Sequence, residues 1–155
     1  MIWDVEERVE DAIAAYILSL AGGNLRVYSA LSADQIEMPA VVVHCAESGP
    51  VSEMASIDGR RMCDVKVAVL TEAAPEIDAE GNTITSPRTR HANARSEVCN
   101  VLWVTDLVAQ LNAVDVPAVL FSMAHPSTIT RDVNTEGRRF ESTITVEVIA
   151  SPQEL

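Results

Sequence analysis

The chain has 155 residues, 48% of them hydrophobic and 22% charged, with a formal net charge of −12. That length and composition fit one domain with a real core and exclude global disorder, while the excess of acids argues against a general nucleic-acid binder or a ligand of anionic membranes. Aromatics make up only 4%, so the core must be aliphatic, and the acidic balance keeps a protein soluble and leaves DNA free to slide past.

Residues 4–20 read as a helix. Asp4 is placed to cap it, and Glu6 and Glu7 suit the positive end of its dipole. Val5, Val9, Ile13, Tyr16, Ile17 and Leu20 recur at three-and-four spacing and make one apolar stripe. Gly22 and Gly23 follow as a stop signal. Residues 25–29 are a short strand candidate, and residues 32–38 a turn or short helix. Pro39 opens a β-branched run at 40–45 that reads as a strand. Residues 47–59 read as a connection ending in the Asp58-Gly59 turn. Residues 60–71 then alternate, with Arg61, Cys63, Val65, Val67 and Val69 on one face and Met62, Asp64, Lys66, Ala68 and Leu70 on the other.

A long polar loop follows at 72–87. It lies within TEAAPEIDAEGNTITSPRTRHANAR (71–95), which starts acidic with Glu72, Glu76, Asp78 and Glu80 and ends basic with Arg88, Arg90, His91 and Arg95. Loops longer than about 12–15 residues with no structure of their own are uncommon in compact domains and are usually functional or disordered. Pro87 closes the loop. From 89 to 114 the pattern is one helix, with Ala94, Val98, Val101, Leu102, Thr105, Val108, Leu111 and Asn112 on or beside one face and Trp103 at its flank. Pro117 ends any continuation. Residues 118–123 and 128–133 read as one strand interrupted at His125-Pro126, or as two. Glu136-Gly137 is a turn, and 138–150 alternates again, with Phe140, Ser142, Ile144, Val146 and Val148 on one face. The expected architecture is a single α+β domain over 1–155, two helices packed on one face of a mainly antiparallel sheet.

The chain carries no G-x-S-x-G, P-loop, dinucleotide-binding or H-E-x-x-H signature. Cys45, Cys63 and Cys99 are odd in number and lack C-x-x-C spacing, so they suggest neither a disulfide framework nor a zinc site. His44, His91 and His125 are isolated, and no motif supports pairing one with a serine or cysteine nucleophile. Glu76, Asp78 and Glu80 alternate ahead of Gly81 but lack the closing acid of a calcium loop. We therefore expect no catalytic residue, cofactor or metal. The acid start of 1–16 is unlike a signal peptide, and no apolar run is long enough to span a membrane.

Two clusters point to partners instead. Arg88, Arg90 and Arg95 form either a solvated helix start or a surface that meets Glu76, Asp78 and Glu80 of a neighbouring copy, the arrangement of a head-to-tail ring. Arg60-Arg61 and Arg138-Arg139 each open a long strand just after a turn. If those strands pair, the four arginines share one side of the sheet, as a partner patch or as edge charges that block aggregation.

The element order and character resemble the tail-terminator or tail-completion proteins of long-tailed bacteriophages and related gene-transfer particles. The resemblance is carried by the helix from residue 4, RVYSA, MPAVVVH, IDGRRMCDVKVAVLTEA, the long loop, RHANARSEVCNVLWVTDLVAQL and GRRFESTITVEVIASP. It implies a structural virion protein that forms a six-fold ring on the last tail-tube ring, ends tube polymerisation and joins the tail to a head-neck connector. DNA would pass through the ring without sequence-specific binding. It implies a place in the tail or neck after assembly in the host cytoplasm, and it transfers no catalytic residue. A head-closure or other neck protein is the nearest alternative. A small cytoplasmic enzyme or ligand-binding domain is the alternative from another class, and would show a deep pocket with convergent polar groups.

Overall fold

A computed structural model of the chain describes residues 4–21, 24–29, 36–51, 60–74, 76–114, 119–135 and 139–153. Its elements in chain order are α1 (Val5–Leu20), β1 (Arg26–Ser29), β2 (Ala40–Pro50), β3 (Arg61–Glu72), β4 (Glu76–Ile77), β5 (Thr83–Thr85), α2 (Pro87–Leu102), α3 (Leu107–Asn112), β6 (Val119–Thr135) and β7 (Arg139–Pro152). Five strands form one sheet in the order β1-β2-β3-β7-β6, and β4 and β5 form a separate two-stranded ribbon. β1 is parallel to β2, and the other neighbours in the sheet are antiparallel. The fold is α+β.

Alternation decides which face of the sheet is covered. Val43 pairs with Val67, and Val67 with Ile144, so a row of apolar side chains crosses three strands on one face. Val41, Val65, Val69, Val146 and Val148 continue that face, and all pack in one cluster with Val9, Ile13 and Ile17 of α1 and Val98 and Leu102 of α2. The apolar stripe of α1 ends at Ile17, because Leu20 is 56% exposed. Asp4 makes no side-chain cap bond. It pairs with Arg8 one turn later, at 3.1 Å. The expected stop at Gly22-Gly23, the turns at Asp58-Gly59 and Glu136-Gly137, most of 32–38, and Pro117 lie outside the described residues.

β2 runs to Pro50, five residues past its expected end. β3 is long enough to pair with it there, across an irregularity between Cys45 and Glu47. β1 pairs only with residues 40–43, so among the described residues no strand lies beside the outer edge of β2 from His44 onward. Glu10 reaches over from α1 and accepts the Cys45 N–H at 2.7 Å, although Glu10 is only 5% exposed. A carboxylate buried inside an otherwise apolar stripe thus satisfies an edge donor. Further along the same edge, Glu6 accepts from the Ser48 hydroxyl and lies 3.0 Å from the Arg61 guanidinium, tying the start of α1 to the far end of β2 and β3.

The helix expected over 89–114 is two helices. α2 starts at Pro87, with the Ser86 hydroxyl accepting the Thr89 N–H at 3.2 Å. Proline is well placed there, since its missing N–H would have had no partner in the first turn. The chain leaves the helix at Trp103 and re-enters it after Asp106. The break lets Leu107 and Leu111 turn into the core beside Leu102. The Tyr16 hydroxyl donates to the Val101 carbonyl at 2.6 Å, satisfying an orphan acceptor of the last turn of α2. β6 is one strand of 17 residues that runs through His125-Pro126 with three register shifts. As an edge strand it tolerates proline, whose missing donor removes nothing from the ladder when it faces outward.

Candidate functional site

The expected structureless loop at 72–87 is folded. β4 and β5 pair antiparallel, and their connection is organised by one side chain. The Asp78 carboxylate accepts the N–H groups of Glu80 and Asn82, each at 2.9 Å. The Asp78 N–H donates to the Asn82 carbonyl at 2.9 Å, and Gly81 supplies the left-handed residue, with φ +87°. The Asn82 amide, first among several donors, holds the Asp78 carboxyl below its ordinary range. Asp78 is therefore engaged in its own turn, while the side chain of Glu80 makes no described contact and is exposed. Ile77 is 58% and Ile84 61% exposed, so an otherwise polar ribbon carries two bare aliphatic side chains.

The arginines expected to act together are separated in the fold. Arg90 belongs to the ribbon's base: its Nη2 donates to the carbonyls of Glu72 at 3.0 Å and Ala74 at 2.5 Å. Arg88 and Arg95 lie on another face of α2 and line a cavity of about 450 Å³ with His91, Ala92, Arg131, Phe140 and Ser142. Arg61 is held by Glu6 and Ser48. Arg139 lies 3.8 Å from Glu141 and pairs across the ladder with Glu72. Arg61 pairs with Ala150, so Arg61 and Arg139 sit at opposite ends of the β3–β7 ladder. Eleven residue steps of about 3.3 Å put them ~36 Å apart along it, and the sheet does not bring these two arginines into one patch. Arg60 is exposed beside Arg61, and Arg138 lies outside the described residues.

Beneath Arg88 and Arg95 lies a buried polar group that no motif announced. His91 is 6% exposed; its Nδ1 is 2.8 Å from the Thr71 hydroxyl and its Nε2 2.8 Å from the Ser142 hydroxyl. The imidazole stacks at a tilt on Phe140, with centroids 5.7 Å apart. Burial, then the nearby Arg95 charge, holds the imidazole below its ordinary value of 6.5, so it is neutral at pH 7. A neutral ring has one donor and one acceptor nitrogen, and the two hydroxyls match both. The contact of His91 with Ser142 is a histidine–serine pairing that no motif supported. Ser142 is 1% exposed, and among the described residues no carboxylate orients the imidazole. The group is a satisfied buried cluster that anchors α2 to β3 and β7.

No group of residues suited to hold a metal ion occurs among the described residues. No helix among them is long and apolar enough to cross a membrane. A second open cavity of about 430 Å³, between the end of α1 and α2, contains Tyr16, Leu20, Val101, Val104 and a lone acid, Glu97. Sequence reading missed Arg131 and Phe140. Arg131 pairs with Ser142 across β6 and β7, and only the strand order brings it to α2. The shared face of Arg88, Ala92 and Arg95 was readable from helical spacing. So was the departure of Arg90, two residues from Arg88 and about 200° around the helix.

No family model matches the chain, and no curated protein matches it. Among solved structures, the chain is similar to a chain of the virion of a native gene transfer agent particle. The two are 13% identical with a TM-score of 0.56, and the match covers 97% of this chain and 99% of the other. The likeness is one of fold.

Proposed function

We propose that this chain is a structural virion protein that closes the end of a phage-type tail. Copies join side by side into a six-fold ring, and the ring sits on the last tail-tube ring and stops its polymerisation. Its other face meets the head-neck connector, and DNA passes through the middle. One observation carries the reading: the match to a chain of a gene transfer agent virion runs over nearly the whole of both chains. A net charge of −12 suits a passage that must not hold DNA. A folded ribbon standing on a rigid domain suits a contact between subunits.

The test is to add the purified protein to growing tubes of the tail-tube protein from the same particle, viewed by electron microscopy. The reading predicts that growth stops and that new density decorates one end of each tube. Density along the tube walls, or no binding at all, overturns it. Binding to the portal or its adaptor in place of the tube moves the protein to the neck.

A further inference from the structure

We propose that the β4–β5 ribbon of one copy docks into the Arg88–Arg95–Arg131 pocket of the next, with Glu80 facing the guanidinium groups and Ile77 or Ile84 against Phe140. The inference rests on the ring reading and names its contact. Three observations favour this occupant over others.

The first is charge. The chain carries 23 acids against 11 Lys and Arg. Three of those arginines gather on one cavity, and none of them has a described ion pair or hydrogen bond within the chain. Like charges brought together at one concavity repel each other unless an anion joins them. A second copy of an acidic chain is a ready source of carboxylates. Arg90, the remaining basic side chain near this end of α2, is already held by the carbonyls of Glu72 and Ala74. The second is shape and polarity. Among its described side chains the ribbon presents an uncommitted acid, Glu80, between two exposed isoleucines, and the cavity presents arginines around an aromatic and an alanine. The charges are opposite in sign and both surfaces carry apolar groups to set against each other. The third is preorganisation. Asp78 and Gly81 fix the ribbon's turn, and Arg90 fixes its base, so docking orders little that is not already ordered. A two-stranded ribbon with bare isoleucines is marginal in water by itself, and docking removes that exposure.

Among the described residues, none of the ribbon lines the pocket of its own chain. A contact from ribbon to pocket is therefore one between different surfaces of two copies. Such heterologous contacts close into rings when the rotation allows.

The direct test uses a labelled peptide of residues 74–86, closed by a disulfide between added terminal cysteines, titrated with the full chain. The proposal predicts saturable binding that weakens with salt and falls by about tenfold or more in an Arg88→Glu, Arg95→Glu double variant. A Glu80→Lys peptide should bind the wild-type chain poorly and recover on the double variant. Because an excised ribbon can fail to fold, the same exchange is also read in the full chain by sedimentation. Glu80→Lys alone and the pocket variant alone should each lose self-association. Absence of peptide binding together with unchanged assembly of both full-chain variants overturns the proposal. Rings that survive these variants remove this contact and leave the ring reading standing. Peptide binding by a chain that never forms rings does the reverse.

Discussion

Replacing Arg90 by Ala should loosen the ribbon without loosening the domain. Its guanidinium donates to the Glu72 carbonyl at 3.0 Å and the Ala74 carbonyl at 2.5 Å, where the chain leaves β3 for the ribbon. Hydrogen bonds to a charged group contribute about 1.5–3 kcal/mol each when buried. Solvent reaches this side chain, so screening reduces the pair to about 1 kcal/mol in total. That much shifts an opening equilibrium about fivefold. The ribbon has only two short strands, so the loss should stay local. Amide hydrogen exchange followed by NMR reads this residue by residue. The Asp78 amide, bonded to Asn82, and the Gly81 amide, bonded to Asp78, should exchange about fivefold faster in Arg90→Ala. Amides of Val65 and Ile144, deep in the sheet, should be unchanged. Arg90→Lys, which keeps the charge on a shorter side chain, should fall between. Unchanged exchange at 78 and 81, or equal acceleration in the sheet, would refute the assignment of Arg90 to the ribbon's base.

Other expectations follow from the same geometry. Glu10→Ala should cost about 2 kcal/mol, or about 4–8 °C in Tm, because it strands the Cys45 N–H at the edge of β2. Glu10→Gln keeps an acceptor and should cost less than half as much; equal losses in a urea titration would count against the edge argument. Ile144 is fully buried at the centre of the sheet, so Ile144→Ala should cost about 2–5 kcal/mol with an unchanged denaturant slope. His91 has a folded pKa held below its ordinary 6.5 by burial and then by Arg95. The unfolded chain takes up that proton first. The contribution of His91 is therefore complete above about pH 6.5 and is lost as pH falls from there toward the lower folded value. Stability measured across that window should lose part of its pH dependence in His91→Gln; a contribution that grows as the solution is acidified would contradict the assignment.

Legibility in the sequence followed the physics of each element. The β3 and β7 faces were readable because period-two alternation maps directly onto burial: Cys63, Val65, Val67 and Val69 are fully buried while Met62 is 47% exposed. The stripe of α1 was readable for the same reason at helical spacing, except at its end, where Leu20 is exposed. The break at Trp103 was not, because residues 89–114 are periodic throughout and only packing of Leu107 and Leu111 decides where the chain must turn. The ribbon was missed because β4 and β5 are two and three residues long, too short for periodicity to register, and its order comes from one aspartate and one left-handed glycine. Of the candidate site, Arg88 and Arg95 were legible as charges on a helix start. Their pocket was not, since Arg131 and Phe140 arrive from strands more than 35 positions later in the chain, and no local pattern encodes that approach.

The most direct measurement is the solution mass of the purified full chain by light scattering, alone and then mixed with the tail-tube protein of the same particle. The account predicts a ring of several 16.7 kDa copies, or a stable complex confined to the tube end. A chain that stays strictly monomeric in both conditions contradicts it.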